Sequence, residues 1–302
     1  MRKLIFNVMI LSLLIFVSWG SFMIYNNYSG NGALENEVYS YLESVAESKA
    51  NRIGFFLDER KDDLVFLASS KEVADLLNEG QITKSIDDKL TFFQEVNNYL
   101  DLILMDVNGE VLWSAKQKEL IGINLSGDES TKLGEVYNKV KNDFGVGIFD
   151  SGYYSGNEKL SVFVTTPVLV DSLSVSGKKD ILGIIALQID NSQIEQRIQS
   201  DVGLEESGKI YLVNRDGTVT AGLEGIVEIN TQMYKDCFKD YNNYYFERAG
   251  QEIELIDGSG IYENYNGDSV FGAHQYILET GWCVMVEIEK NKFYDSLGGK
   301  GK

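Results

Sequence analysis

Apolar and polar positions divide the chain into three kinds of stretch. The first is a continuous apolar run, residues 4–25, behind Met1-Arg-Lys3. It has about the 20 residues that a bilayer span needs. Arg2 and Lys3 on its leading side orient such a span with the N-terminus in the cytoplasm and the bulk of the chain outside. A cleaved signal peptide is the competing reading. Ser18-Trp-Gly20 is a poor small-x-small cleavage site, and the apolar run continues through Phe22-Met-Ile-Tyr25, which favours an uncleaved anchor. The second kind is helical. After a break or short linker at 26–32, rich in Asn and Gly, Val38, Leu42, Val45, Ile53, Phe56, Leu64 and Leu67 fall on one face at 3.6 residues per turn. At about 1.5 Å per residue the stripe predicts a rod of roughly 45 Å. Lys49 and Arg60 interrupt it, which weakens a strict coiled-coil seam. The stripe serves its own core, a second copy of the chain, or both.

The third kind is strand. Residues 181–190, Ile-Leu-Gly-Ile-Ile-Ala-Leu-Gln-Ile-Asp, are apolar, β-branched and closed by an acid, as a buried strand is. Before it lie a strand at 100–106, a tight turn at Asn108-Gly109 and a return through 110–113. A helical stretch at 130–142, a loop at 144–155 and a strand at 162–170 follow. Pro167 implies that this last strand is an edge or bulged. After it come a helix at 191–200, a strand at 209–213, a turn at Arg215-Asp-Gly217 with a return through Val219, an irregular or helical segment at 230–248, strands at 269–277 and 282–288, and a closing helix at 290–297. The order strand, turn, strand, helical insert, strand, strand occurs twice. The fold class is α+β, with a long N-terminal helix carrying two antiparallel-sheet units. The expected division is a transmembrane helix at 4–25, a larger unit with the long helix at 34–200, and a smaller unit at 201–297.

Charge and composition narrow the function. The 302 residues carry 27 basic and 46 acidic side chains, a formal net charge of -19. Nucleic-acid binding needs a basic footprint and is excluded on that ground. What attraction so acidic a chain exerts favours cations. Enzyme chemistry finds little support. The sole histidine, His274, offers no set of imidazoles for a metal or a Ser-His-Asp arrangement and reads as structural. The glycine pairs lack the strand–helix setting of a phosphate loop. No cofactor is expected. Asp106-Val-Asn-Gly109 is a plain turn, because the later acids of a calcium loop are missing. Cys237 and Cys283 make no disulfide framework. Two separate buried thiols are the favoured reading, and a pair outside the cytosol is the alternative.

Several segments carry a resemblance. They are Ser48-Lys-Ala-Asn-Arg-Ile-Gly-Phe-Phe56; Tyr99 to Trp113 with Gly122-Ile-Asn-Leu125; Phe149-Asp-Ser-Gly-Tyr-Tyr154 leading to Phe163 and Pro167-Val168; 182–190 with Gly208-Lys-Ile-Tyr-Leu-Val213; and Gly281-Trp-Cys-Val-Met-Val-Glu-Ile288. In this order and spacing the chain resembles the double Cache sensor domain of prokaryotic transmembrane receptors. That resemblance implies tandem PAS-like units, a small-molecule site in the membrane-distal unit, and a displacement passed to a cytoplasmic output. The segments are most similar to the branch that includes sensors of quaternary amines. The Arg-x-Trp-Tyr motif of the amino-acid branch is not found.

The resemblance places Asp150 and Tyr154 in the loop over the distal pocket, with Tyr153 beside them. An acid among aromatic faces holds a cation by charge and by cation–π attraction. Trp113 is a candidate wall of the same box; Asp171 and Asp190 are candidate acids at strand ends. Each has a structural alternative: a turn cap for Asp150, a surface ring for Tyr154, core packing for Trp113, a solvent-facing acid for Asp171, a helix cap for Asp190. The expected function is an extracytoplasmic small-molecule sensing module of a membrane receptor, of signal-transduction or chemotaxis type. Its expected ligand is a small amine or other cationic metabolite, and its expected partner a second copy through the long helix. The alternative is a free-standing, membrane-anchored binding or adhesion protein. A second apolar span and an output domain encoded beyond residue 302 favour the receptor; an authentic stop favours the alternative.

Overall fold

The computed structural model describes residues 2–128, 131–143, 147–149, 161–171, 179–199, 204, 208–223, 228–247 and 258–298; at 2–31, 132, 143, 149, 171, 240–247, 297 and 298 it describes the backbone alone. Helix α1 (Arg2–Ala68) is unbroken, so the break expected at 26–32 does not occur. Asn and Gly are poor helix formers, but continuing a helix is less costly than ending it and nucleating another. The apolar run 4–25 is therefore the first part of α1. Among the residues whose side chains are described, from 32 onward, no helix is long and apolar enough to cross a membrane.

Helices α2 (Lys71–Glu79) and α3 (Lys84–Val96) fold back from the end of α1. Ser70 and Thr83 cap them by accepting from the N–H groups of Val73 and Ile86. A first antiparallel sheet follows: β1 (Asp101–Asp106), β2 (Val111–Ser114), β3 (Gly147–Phe149), β4 (Ser161–Asp171) and β5 (Lys179–Asp190), in the order β2-β1-β5-β4-β3. Helix α4 (Lys132–Asp143) is its insert. Helix α5 (Asn191–Gln199) crosses to a second sheet: β6 (Gly208–Val213), β7 (Val219–Ala221), β8 (Ser259–Glu263), β9 (Ser269–Ile277) and β10 (Trp282–Glu289), in the order β7-β6-β10-β9-β8. Its insert is α6 (Gln232–Glu247), and α7 (Lys290–Gly298) closes the chain. The two strand orders are the same, so the repeat expected from element order is a repeat of topology. The short edge strands β3 and β8 were not expected.

Both sheets turn one face to α1. A single hydrophobic cluster joins Leu42, Ala46, Ile53, Leu57 and Leu64 of the helix to Leu187 and Ile189 of the first sheet and to Val284 and Val286 of the second. The smaller unit rides on the earlier turns of α1, where Tyr39 meets Phe271 edge to face at 5.8 Å and Glu43 accepts from Ser259. The first sheet lies further along, where Asp63 accepts from the Tyr99 hydroxyl. The charges inside the stripe have local reasons. Lys49 is buried and donates to the carbonyl of Arg197 in the last turn of α5 at 3.2 Å, where a cation suits the helix dipole. Arg60 and Arg197 stack over the Phe56 ring at 4.5 and 3.6 Å. Gly183 is required by close approach: a Cβ there would run into the backbone carbonyl of Met105 on the neighbouring strand, and lie 2.6 Å from the Leu77 side chain of α2. Pro167 behaves as an edge residue. β3 pairs only with 163–165, so beyond Thr165 the outer side of β4 has no described neighbour, and the register shifts at Val168/Leu169.

Cys237 of α6 and Cys283 of β10 form a disulfide, Cα–Cα 6.6 Å. This corrects the reading of two separate thiols. Chain distance hid the pairing, because only the packing of α6 on β10 brings the two positions together. At a sequence separation of 46 residues, the cross-link is worth about 4 kcal/mol in the chain-entropy model. Reduction in the presence of a metal chelator is expected to lower the unfolding free energy by about that amount. Urea titrations of the oxidised and reduced chain, followed by circular dichroism, measure it.

Candidate ligand-binding site

Strand alternation gives the first sheet two unlike faces. Leu102, Leu104, Leu187 and Ile189 point to α1, while Ile103, Met105, Ile184 and Ala186 point away, beneath Leu133, Val136, Tyr137 and Val140 of α4. On that second face the apolar residues give way at one end of the sheet to polar ones. Asp101 opens β1 on this phase and is fully buried. Its carboxylate accepts from the Leu102 N–H (2.8 Å), the Ser114 hydroxyl (2.7 Å), and the N–H groups of Lys116 (2.9 Å) and Gln117 (3.3 Å). The Gln117 amide donates to the Gln188 side-chain oxygen at 3.1 Å, and Gln188 donates to the Ser161 hydroxyl at 2.8 Å. Gln188, Ser161 and Thr165 are all buried. The result is a row of hydrogen-bonding groups from β2 across β1 and β5 to β4, anchored at one end by a carboxylate whose charge is met by four donors.

Asp190 shares this end. It is the cross-strand partner of Ser161, half-buried, and accepts from the Ser192 N–H at 2.8 Å as α5 begins. β3 ends at 149 beside Phe163 and β4 begins at 161, so both anchors of segment 150–160 lie at the polar end. Asp150, Tyr153 and Tyr154 themselves lie outside the described residues. The remaining candidates are set apart. Asp171 pairs with Lys179 at the far end of β4, about 33 Å along the strand from Ser161, and its side chain is outside the described set. Trp113 is 1% exposed and belongs to the α1-facing cluster. Its indole N–H donates to Asp87 at 2.7 Å, and Lys118 stands 5.0 Å from its ring. It therefore packs on the opposite face of the sheet from Asp101 and Gln188. A bulge at Leu104/Met105 against β2 keeps Trp113 in phase with Leu104.

Asp101, Gln117, Ser161 and Gln188 were not among the candidates. Their signal in the sequence is a polar residue on the inward phase of an apolar strand, as in Ile-Ala-Leu-Gln-Ile (185–189) and Tyr-Leu-Asp-Leu-Ile (99–103).

The second sheet has its own polar end on the equivalent face. Glu287 is 1% exposed and accepts from the Tyr211 hydroxyl at 3.1 Å and the Asn264 amide at 3.3 Å. Lys209 donates to Tyr265 at 2.9 Å beside it. Burial pushes the Glu287 carboxyl above the usual carboxylate range against the opposing pull of these donors, and burial likewise raises the Tyr211 hydroxyl.

A family model described as the Cache domain matches residues 30–297. No curated protein matches the chain. Among solved structures, the sensor domain of the V. cholerae histidine kinase DctB is similar at 18% identity and a TM-score of 0.57, over 86% of this chain and 98% of that one. The ligand-binding domain of the P. aeruginosa PAO1 amino acid chemoreceptor PctB, in complex with L-Arg, is similar at 14% identity and a TM-score of 0.56, over 86% and 98%. That of the C. jejuni chemoreceptor Tlp3, in complex with L-valine, is similar at 11% identity and a TM-score of 0.55, over 86% and 96%. At such identities the likeness is one of fold.

Two outcomes follow from these polar ends. Asp101→Ala leaves a buried hydroxyl and buried N–H groups without their acceptor and is expected to cost about 2–3 kcal/mol in denaturant unfolding, with Asp101→Asn recovering part of the loss. For Glu287 the folded value lies above the unfolded one, so the folded chain holds the proton more tightly. Stability from this group therefore falls as pH rises from about 4.3 through the raised value. Thermal melts across that range are expected to show a smaller loss with rising pH in Glu287→Gln than in the wild type.

Proposed function

The chain belongs to the Cache domain family, and on that premise we propose that it is the extracytoplasmic sensing module of a membrane receptor, binding a small amine or other cationic metabolite in its larger unit. The observation that carries the reading is the buried row Asp101–Ser114–Gln117–Gln188–Ser161 at the end of the sheet that bears Asp190 and anchors segment 150–160. A sheet end of amides, hydroxyls and acids beside an apolar half suits a ligand with a hydrogen-bonding, positively charged head and an apolar body. Asp150 and Asp190 supply charge in this proposal, Tyr153 and Tyr154 supply ring faces, and Gln188 and Ser161 orient the head. Trp113 acts from behind, by fixing β2, and Asp171 takes no part. The site binds its ligand and does not transform it. Related folds bind amino acids, as the L-Arg and L-valine complexes do. The absence of the Arg-x-Trp-Tyr motif is the reason to favour an amine.

In the same proposal the run 4–25 spans the membrane with the N-terminus inside, and residues 34–200 and 201–297 act as distal and proximal units. The C-terminal helix supports a shared exit: Tyr294 of α7 donates to Glu35 of α1 at 2.8 Å. Two copies pair through α1. Tyr41, Phe55 and Phe66 are 41, 72 and 73% exposed and recur on one face of that helix, away from the core. Ligand closure over the larger unit moves its sheet against α1, and the shift travels along the helix to the membrane. A ligand drives this only by its differential affinity for the two states.

A thermal-shift screen of the purified chain against amines, amino acids and organic acids tests the site. Amines are expected to stabilise the wild type, and Asp150→Ala and Gln188→Leu to lower affinity about tenfold or more. Stabilisation by carboxylic acids alone, with Asp150→Ala binding as the wild type does, overturns the amine reading. Phe55→Asp is expected to shift the sedimentation of the purified chain from dimer towards monomer without changing its circular dichroism.

A further inference from the structure

The smaller unit holds a second set of chemistry-bearing residues, outside the sheet on which the ligand is proposed to bind. Cys237, His274 and Cys283 are buried, and their ligand atoms all lie within 4.8 Å of one another. Three elements bring them together: Cys237 comes from α6, His274 from β9 and Cys283 from β10. The surroundings are rich in sulfur. Met233 precedes Cys237 by one helical turn, Met285 follows Cys283 by one strand period, and all four belong to one cluster. His274 and Met285 are cross-strand partners. Gly258 keeps the space beside the ring open: a Cβ there would stand 3.0 Å from Nδ1. Burial holds the imidazole well below its ordinary range, to about 4, against the pull of Asp236, so at neutral pH it is the uncharged base that ligates metals.

We propose that Cys237, Cys283 and His274 form a redox-gated site for a thiophilic ion such as Zn2+, closed while the disulfide stands and opened when it is reduced. The steps balance. A small dithiol gives two electrons and two protons; the Cys237–Cys283 bond breaks, two thiols form, and the dithiol closes into its own disulfide. Zn2+ then replaces the two thiol protons, forming two Zn–S bonds and one bond to the imidazole nitrogen, and both protons leave to solvent. Bonds of about 2.0–2.3 Å in a tetrahedral site hold ligand atoms about 3.5–3.8 Å apart. The three ligand atoms already lie within 4.8 Å of one another, so the freed sulfurs need only part to reach that geometry. Three protein ligands leave a fourth position for water or an incoming donor. The smaller unit thereby reports on reducing conditions and thiophilic metal, independently of the larger unit's ligand.

The test uses the full purified chain, oxidised or reduced with a small dithiol that is then removed by anaerobic desalting. Zn2+ is titrated against a chromogenic chelator. The reduced chain is expected to take one equivalent, at least about a hundredfold more tightly than the oxidised chain. Co2+ in place of Zn2+ is expected to give the thiolate-to-metal absorption of sulfur ligation. Cys237→Ser is expected to abolish that band, and His274→Ala to weaken Zn2+ binding to the reduced chain about tenfold or more while the disulfide of its oxidised form still closes. Equal uptake by both redox forms, no uptake by the reduced wild type whether it stays folded or unfolds by circular dichroism, or a reduced His274→Ala chain that binds as the wild type does would each overturn the proposal.

Discussion

Burial of the apolar face of α1 against two sheets at once is the contact on which this structure rests. A sheet with one apolar face needs something to cover it, and here both sheets use the same helix. Leu42, Ile53, Leu57 and Leu64 are each 0% exposed. At about 1.5–3 kcal/mol per buried side chain, these four alone contribute roughly 6–12 kcal/mol, comparable with the whole net stability of an ordinary domain. Neither sheet keeps its core without the helix. The helix touches both sheets, so a change in how one sheet seats on it is felt by the other.

That shared contact fixes which face of each sheet is left for chemistry. Alternation along β1, β4 and β5 sends every second side chain to α1 and the rest to the α4 side, and the polar row occupies the second set. The second sheet repeats the order and spends its free face differently. In the first unit the buried acid, Asp101, is met by four donors. In the second, Glu287 has two side-chain donors and burial prevails, while the cysteines and His274 gather under α6. One topology thus carries two unlike interiors.

Much of this was legible along the chain. The stripe from Val38 to Leu67, the strand at 181–190, the hairpin at Asn108-Gly109 and the repeated order of elements are all local patterns, and each is found where its period placed it. The short strands β3 and β8 were not legible, because three to five residues containing glycine carry too little alternation to stand out from a loop. The run at 26–32 misled because its composition is that of a turn, although the helices on either side outweigh it. Single site residues were the least legible. Trp113 and Asp190 both close strands in sequence, yet a bulge and the strand phase send them to opposite faces. Asp171 and Asp190 end neighbouring strands that run antiparallel, which puts them at opposite ends of the sheet.

By itself the sequence determined the kind of object: an acidic α+β chain with a long amphipathic helix behind an apolar run, and two successive strand-rich units. Periodicity and composition are properties of neighbours along the chain, so they survive without coordinates. Only the tertiary structure decided which residues meet. The path from Asp101 through Gln117 and Gln188 to Ser161, the pairing of Cys237 with Cys283 near His274, and the burial of Lys49 on the end of α5 all join positions far apart in sequence. Such contacts depend on sheet register and helix docking, which are set by the packing of the whole core on α1 and leave no local trace.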